Sequence, residues 1–294
     1  MHNVPSSVVE PLLRGPSPRK ITQVAQLQND IQTLLGSTHH TFLQGSYKNN
    51  TAPSDINDVD IVAVRRTTYS GVHSPQRNNQ HDRIAWDSIF SELEILLDGH
   101  PEYDWTVERG DKCIKLTGPF NVDVIPAVVY STHDEDPIVV YSMRDGREIV
   151  NHPRTHYENG VEKHASTGEL YKPTVRMFKN WKQNHYGQDK SMVSSFKIEA
   201  LVNAVDDAEF VEDPVARFIL VGASILELMN MRSLVPTRIM SVCGNEDITE
   251  HWDLGARRQF VAQLSESVNH ARLAFSAPTA AVATQHWNNA FNVY

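Results

Sequence analysis

Three carboxylates stand where buried strand is expected. Asp58 and Asp60 are one valine apart in Asn-Asp-Val-Asp-Ile-Val-Ala-Val, and Asp123 lies inside Asn-Val-Asp-Val-Ile-Pro-Ala-Val-Val. Side chains alternate along a strand, so Asp58 and Asp60 point to one face. Carboxylates that close repel each other, and a cation between them offsets the cost. Hard divalent ions such as Mg²⁺ take oxygen ligands of this kind and are completed by substrate phosphates. With Asp123 on a nearby strand, three acids can hold two ions roughly 3.5–4 Å apart, one activating an attacking hydroxyl and one neutralising a triphosphate. Asp123 on the hydroxyl side would also suit it to assist proton removal. A lone Asp-x-Asp is more often a strand-end cap with a salt-bridge partner. An unpaired buried Asp123 is harder to explain that way, because burying a charge is costly. Just upstream is Gly45-Ser46. Gly45 lets the backbone approach a ligand, and Ser46 with the amides after it can donate to phosphate oxygens at a helix start.

The elements that must position these residues follow from periodicity. Ser17-Pro18 supplies an N-cap and first helical residue. Ile21, Val24, Leu27, Ile31 and Leu34 then keep helical spacing up to Gly36. A strand ends at Gln44, the Gly-Ser turn follows, and a second strand begins at Asp58. A polar loop over 66–81 leads to a helix over 82–99, then to strands around 103–110, 112–118 and 121–130, and to a hairpin about Asp145-Gly146. Residues 1–16, rich in Pro and Ser, are expected to be an arm. Beyond Pro153 the pattern turns to helices: 168–187, 194–205, 213–231 and two more near the C-terminus. The expected organisation is a mixed-sheet α/β (α+β) half over 1–160 and an all-helical half over 161–294, with the ligand site in the cleft between them.

A chain of 294 residues, 40% hydrophobic and 21% charged, has the material for a sizeable core and fits about two domains. No run approaches the roughly 18 apolar residues of a membrane span, and the N-terminus lacks the pattern of an export signal. Two cysteines, Cys113 and Cys243, are too few for a disulfide framework and are read as reduced, which implies the cytoplasm. The net charge of −9 counts against a stable complex with long nucleic acid, whose binders are usually basic. It does not exclude nucleotides. Fourteen histidines are present, those at 152, 156 and 164 expected on a loop, and no zinc site is expected. Neither a Walker loop nor a Gly-x-Ser-x-Gly motif occurs.

Gly-Ser-Tyr-Lys-Asn-Asn-Thr, Asp-Val-Asp-Ile-Val and Asp-Val-Ile-Pro-Ala-Val-Val together resemble the nucleotidyltransferases of the polymerase-β-like superfamily. More narrowly, the chain looks like the bacterial cGAS/DncV-like nucleotidyltransferases, nearest their clade E, the cyclic UMP-AMP synthase type. The likeness runs on through His-Tyr-Glu-Asn-Gly, Leu-Tyr-Lys-Pro-Thr-Val-Arg-Met-Phe-Lys-Asn-Trp-Lys and Met-Val-Ser-Ser-Phe-Lys-Ile-Glu-Ala-Leu-Val. It implies a polymerase-β-like palm with a helical lobe, which join nucleoside triphosphates such as ATP and UTP into a cyclic di- or trinucleotide. The product would be a second messenger for an effector protein in anti-phage defence. Asp58, Asp60 and Asp123 carry over as ligands of two Mg²⁺, with Mn²⁺ as a substitute, and Gly45 and Ser46 as the phosphate turn. Lys179 falls at the phosphate-binding lysine, with Arg176 in support. Ser195 falls at a phosphate contact, and Phe196 where a ring stacks on the donor base, without the hydroxyl that a Tyr would offer. A monomer is compatible with this reading.

Read as residues, Lys172, Arg176, Lys179 and Lys182 are as easily a solvated basic face opposite the apolar Leu170, Val175, Phe178 and Trp181. For base choice, Asn151 could offer its amide to a pyrimidine edge. Asn159 is a second candidate, although Asn-Gly is more often a turn. Three other functions share the same core: a linear or RNA-tailing nucleotidyltransferase, a transferase modifying a macromolecule or small molecule, and a non-catalytic nucleotide-binding regulator.

Overall fold

In the computed structural model, residues 2–70, 85–98, 104–130, 136–187, 189–229 and 238–293 are described. The alternating runs of the first half form one mixed sheet of seven strands: β1 (His39–Gln44), β2 (Asp58–Tyr69), β3 (Thr106–Arg109), β4 (Ile114–Thr117), β5 (Asn121–Val129), β6 (Ile138–Ser142) and β7 (Arg147–Asn151). The order is β1-β2-β5-β4-β3. The β2–β5 pair is parallel and the other pairs are antiparallel. One edge of β5 serves two partners, β4 up to Val124 and β6 from Ala127. Pro126, which has no N–H to donate, falls in the gap where that edge changes partner.

Alternation decides the two faces of this sheet. Val59, Ile61, Ala63, Ile114, Leu116, Val122 and Val124 pack against helices α2 (Pro18–Leu35) and α4 (Trp86–Asp98). The intervening positions, among them Asp58, Asp60, Lys115 and Asp123, therefore face away from those helices. Further along β2 the second face becomes apolar as well, where Val62 and Val64 meet Ala127, Val129, Ile138 and Val140. The sheet is thus charged at one end and dry at the other. Ser17 caps α2 as expected, its Oγ accepting from Lys20 N at 3.3 Å. Ile21, assigned to the apolar stripe, is instead 51% exposed at the first turn. Strand β2 runs on to Tyr69, into the expected loop, while residues 71–84 and the expected helix start at Asp82 lie outside the described residues.

Two compact units divide the chain: Pro16–Glu158, which holds the sheet, and Met1–Gly15 with Asn159–Tyr294, which is helical. Residues 1–16 are therefore not a free arm. They form α1 (Ser6–Leu13), whose Val9 is 2% exposed and whose last carbonyls, Leu12 O and Leu13 O, accept from Asn180 Nδ2 and Arg176 Nε. The division falls within α5 (Pro153–Ser166), a helix where a loop was expected. Its first turn is capped by a residue distant in sequence: Asp136 accepts from Thr155 N and Oγ1. Asn159 and Gly160 are accordingly mid-helix rather than a turn, and Asn159 Nδ2 donates to Val242 O at 2.8 Å. The remaining helices are α6 (Tyr171–Tyr186), α7 (Ser195–Asn203), α8 (Pro214–Leu228), α9 (Leu254–Ser276) and α10 (Ala280–Phe291). Their core is aromatic, with Trp181, Phe218, Phe260, Trp287 and Phe291 all buried. No helix among the described residues is long and apolar enough to cross a membrane.

Candidate active site

The parallel pairing of β2 with β5 sets Asp60 directly beside Asp123. The same row continues to Gln44 on β1 and Lys115 on β4. Registered neighbours share a face, so two carboxylates stand side by side on adjacent strands, with a lysine one strand further on. Asp58 lies on the same face, at the exposed start of β2, where Asn121 Nδ2 donates to its Oδ1 at 3.2 Å.

Immediately after Gln44 the chain turns into the short helical segment α3 (Gly45–Lys48). Gly45 takes φ +67°, and a Cβ placed on it would overlap Asp60 Oδ2. Only glycine satisfies both conditions, so the Gly-Ser turn is built against the carboxylate row. After the turn, Thr51 N and Ala52 N donate to Ser46 O at 2.9 and 3.1 Å, and Tyr47 OH donates to Ile56 O at 2.9 Å. Burial, and then the charge of Asp58, push the Tyr47 phenol up to about 12.

Cys113 is a free, buried thiol at this end of the sheet, in keeping with its reading as reduced. It lies just before β4 and near Asp123, whose charge acts on its thiol. Burial first, then the charge of Asp123, push the thiol up to about 12, so near neutral pH it is not a thiolate. Lys115 carries no sequence signal for its place in this row, which follows from strand register alone.

Among the described residues, no three His, Cys, Asp or Glu side chains converge into a ready-made metal cage. The donors present are carboxylates on two registered strands beside a turn kept free of a Cβ. That set fits Mg²⁺, which is held through one or two carboxylates and completed by substrate phosphates, better than an ion needing an all-protein cage.

Asn151 is not part of this end. It pairs with Ile138, which pairs with Val129 at the far end of β5, about 20 Å along the strand from Asp123. Its Oδ1 accepts from His152 N at 3.0 Å.

In the helical unit, Ser194 caps α7, its Oγ accepting from Lys197 N at 3.2 Å. Ser195 and Phe196 follow in the first turn. Both are exposed, Phe196 by 38%. The basic residues of α6 are not a solvated face. Lys172, Lys179 and Lys182 are buried. Lys182 Nζ donates to Gly187 O at 2.9 Å and Arg176 Nε to Leu13 O at 2.6 Å, while Lys179 Nζ donates to Glu199 Oε2 at 2.8 Å. Burial pushes the pKa values of Lys172, Arg176 and Lys182 down.

Comparison with known proteins follows the same lines. Residues 158–269 match the family model of the cGAS/DncV-like nucleotidyltransferase C-terminal helical domain. A cyclic dipurine nucleotide synthase of Elizabethkingia meningoseptica is 34% identical over 211 residues, 64% of this chain and 70% of that one. A cyclic UMP-AMP synthase of Rhodothermus marinus is 30% identical over 185 residues, 58% of this chain and 64% of its own length. The chain thus spans less than two thirds of that second relative. The solved structure of Rhodothermus marinus CdnE c-UMP-AMP synthase with Apcpp and Upnpp has the same fold, with a TM-score of 0.70 at 24% identity over 90% of this chain and 96% of that one.

Proposed function

The chain belongs to the cGAS/DncV-like nucleotidyltransferases, and on that premise we propose that it joins two nucleoside triphosphates into a cyclic dinucleotide with the help of Mg²⁺. The observation that carries this reading is the registered Asp60–Asp123 pair beside the Cβ-free turn at Gly45. In each of two steps, a sugar hydroxyl of one nucleotide forms a bond to the α-phosphorus of another. The bond from that phosphorus to the bridging oxygen breaks and pyrophosphate leaves. Bound at Asp58, Asp60 and Asp123, Mg²⁺ would lower the charge barrier between hydroxyl and triphosphate. Asp123 would take the hydroxyl proton. Gly45 keeps the backbone close, Ser46 donates to phosphate, and Phe196 offers an exposed face on which a base stacks. Two successive transfers in one site give a ring, since the linear intermediate presents its own hydroxyl to its remaining triphosphate.

A pyrimidine in the product is the finer part of the proposal. It is supported by the likeness to a relative named for cyclic UMP-AMP, while the dipurine relative names the competing outcome. Release of the ring as a signal to an effector protein during phage infection completes the reading.

The test is mass spectrometry of the products formed from an equimolar mixture of ATP, GTP, CTP and UTP with Mg²⁺. A phosphatase-resistant cyclic dinucleotide is expected, absent with Asp60→Asn or Asp123→Asn. Only linear products, transfer to a macromolecule, or no pyrophosphate release would each displace the reading.

A further inference from the structure

Lys179 and Glu199 form a deeply buried ion pair, with side chains 5% and 6% exposed, linking α6 to α7. We infer that Glu199 is a positioning residue for the triphosphate: it holds the Lys179 ammonium at the height where α7 presents Ser195 and Phe196. The inference rests on the reading of this protein as a nucleotidyltransferase in which Lys179 serves a phosphate.

Three features support it. Glu199 follows Ser195 by four residues and Phe196 by three, so one side of α7 carries an exposed first turn and, one turn on, a buried anchor. The cations of α6 are held differently. Arg176 and Lys182 donate to carbonyls at helix ends, whereas Lys179 donates to a carboxylate. Glu199 also acts beyond its partner, for its charge raises the pKa of Lys172 against the burial that lowers it. An ammonium carries three donors, so the bond to Glu199 is compatible with bonds to phosphate oxygens. The carboxylate fixes where that charge stands.

The experiment measures the Kd of a non-hydrolysable ATP analogue with Mg²⁺ for the full chain and for variants, with Tm recorded for each. Glu199→Gln is expected to raise Kd at least tenfold, as is Lys179→Met. The double variant is expected to bind no worse than Lys179→Met alone, because the two residues act as one unit. Ser267→Ala, which removes the 2.8 Å partner of Trp181 Nε1 on the same helix, is expected to lower Tm and leave Kd within twofold. Should Glu199→Gln not fold, Glu199→Asp carries the test. It keeps the charge but draws it back by one methylene, and at least a threefold rise in Kd is expected. Wild-type affinity in the folded glutamate variant, or losses that multiply in the double variant, overturn the inference and leave the enzymatic reading standing. Failure of the wild type to bind any of the four triphosphates overturns both.

Discussion

Replacing Gly45 by Ala separates two costs that the structure assigns to the same atom. The first is conformational. At φ +67° an L side chain is disfavoured by about 1–2 kcal/mol, which for a protein of this size lowers Tm by about 2–8 °C. The second is local. The new Cβ overlaps Asp60 Oδ2, so the carboxylate must retreat by about 1 Å, and a displacement of that size at reacting groups costs on the order of 100-fold in rate. Gly146→Ala isolates the first cost, because Gly146 has φ +62° and its nearest neighbour is Tyr141 OH at an ordinary 3.9 Å. Pyrophosphate release and thermal unfolding, measured on both variants, give the comparison. Similar losses of Tm are expected, with turnover falling about 100-fold only for Gly45→Ala. Equal turnover in the two variants would refute the contact between the turn and the carboxylate row as the reason for glycine at position 45.

Asp58→Ala with Asp60→Ala is expected to abolish product while leaving Tm unchanged or raised, since like charges on one face are removed; retained activity would remove these carboxylates from the chemistry. Phe196→Ala should weaken triphosphate binding by about 1–3 kcal/mol, the worth of one stacked base, with little change in Tm because the ring is exposed, and an unchanged Kd would exclude stacking there. Burial lowers the pKa values of His39, His164 and His185 below the ordinary 6.5. These rings are held neutral in the fold and take protons once unfolded, so stability present above about pH 6.5 is lost on acidification. The urea midpoint should therefore be lower at pH 5.5 than at pH 7.5, and less so in His39→Leu; a midpoint that rises on acidification contradicts the sign.

Where one residue's type and its neighbours in sequence decide the outcome, the sequence was legible. Asp58 and Asp60 share a face because a strand alternates, and Ser17, Asp213 and Gly187 end or begin helices by local chemistry. What depended on a distant partner was not legible. Helix α5 was missed because its cap is Asp136, contributed from before β6. The arm was missed because α1 has its last carbonyls satisfied by Arg176 and Asn180 of α6. Lys115 gave no signal because only the register of β4 on β5 sets it beside Asp123. Asn151 was placed by its position after a hairpin, which says nothing about which end of the sheet that hairpin reaches.

The lysines of α6 show why charge alone misleads. On a helical wheel Lys172, Lys179 and Lys182 are polar positions, and polar positions ordinarily face water. Burying an ammonium is costly unless a partner is brought with it, so each such lysine in the interior marks a place where the fold supplies an acceptor. Lys182 has the Gly187 carbonyl, an acceptor that any helix end offers. Lys179 has Glu199, and a carboxylate buried for this purpose carries a desolvation cost of its own, which a well-packed apolar pair would avoid. Stability alone therefore gives little reason for that pair. A requirement for a fixed positive charge near the exposed first turn of α7 gives one.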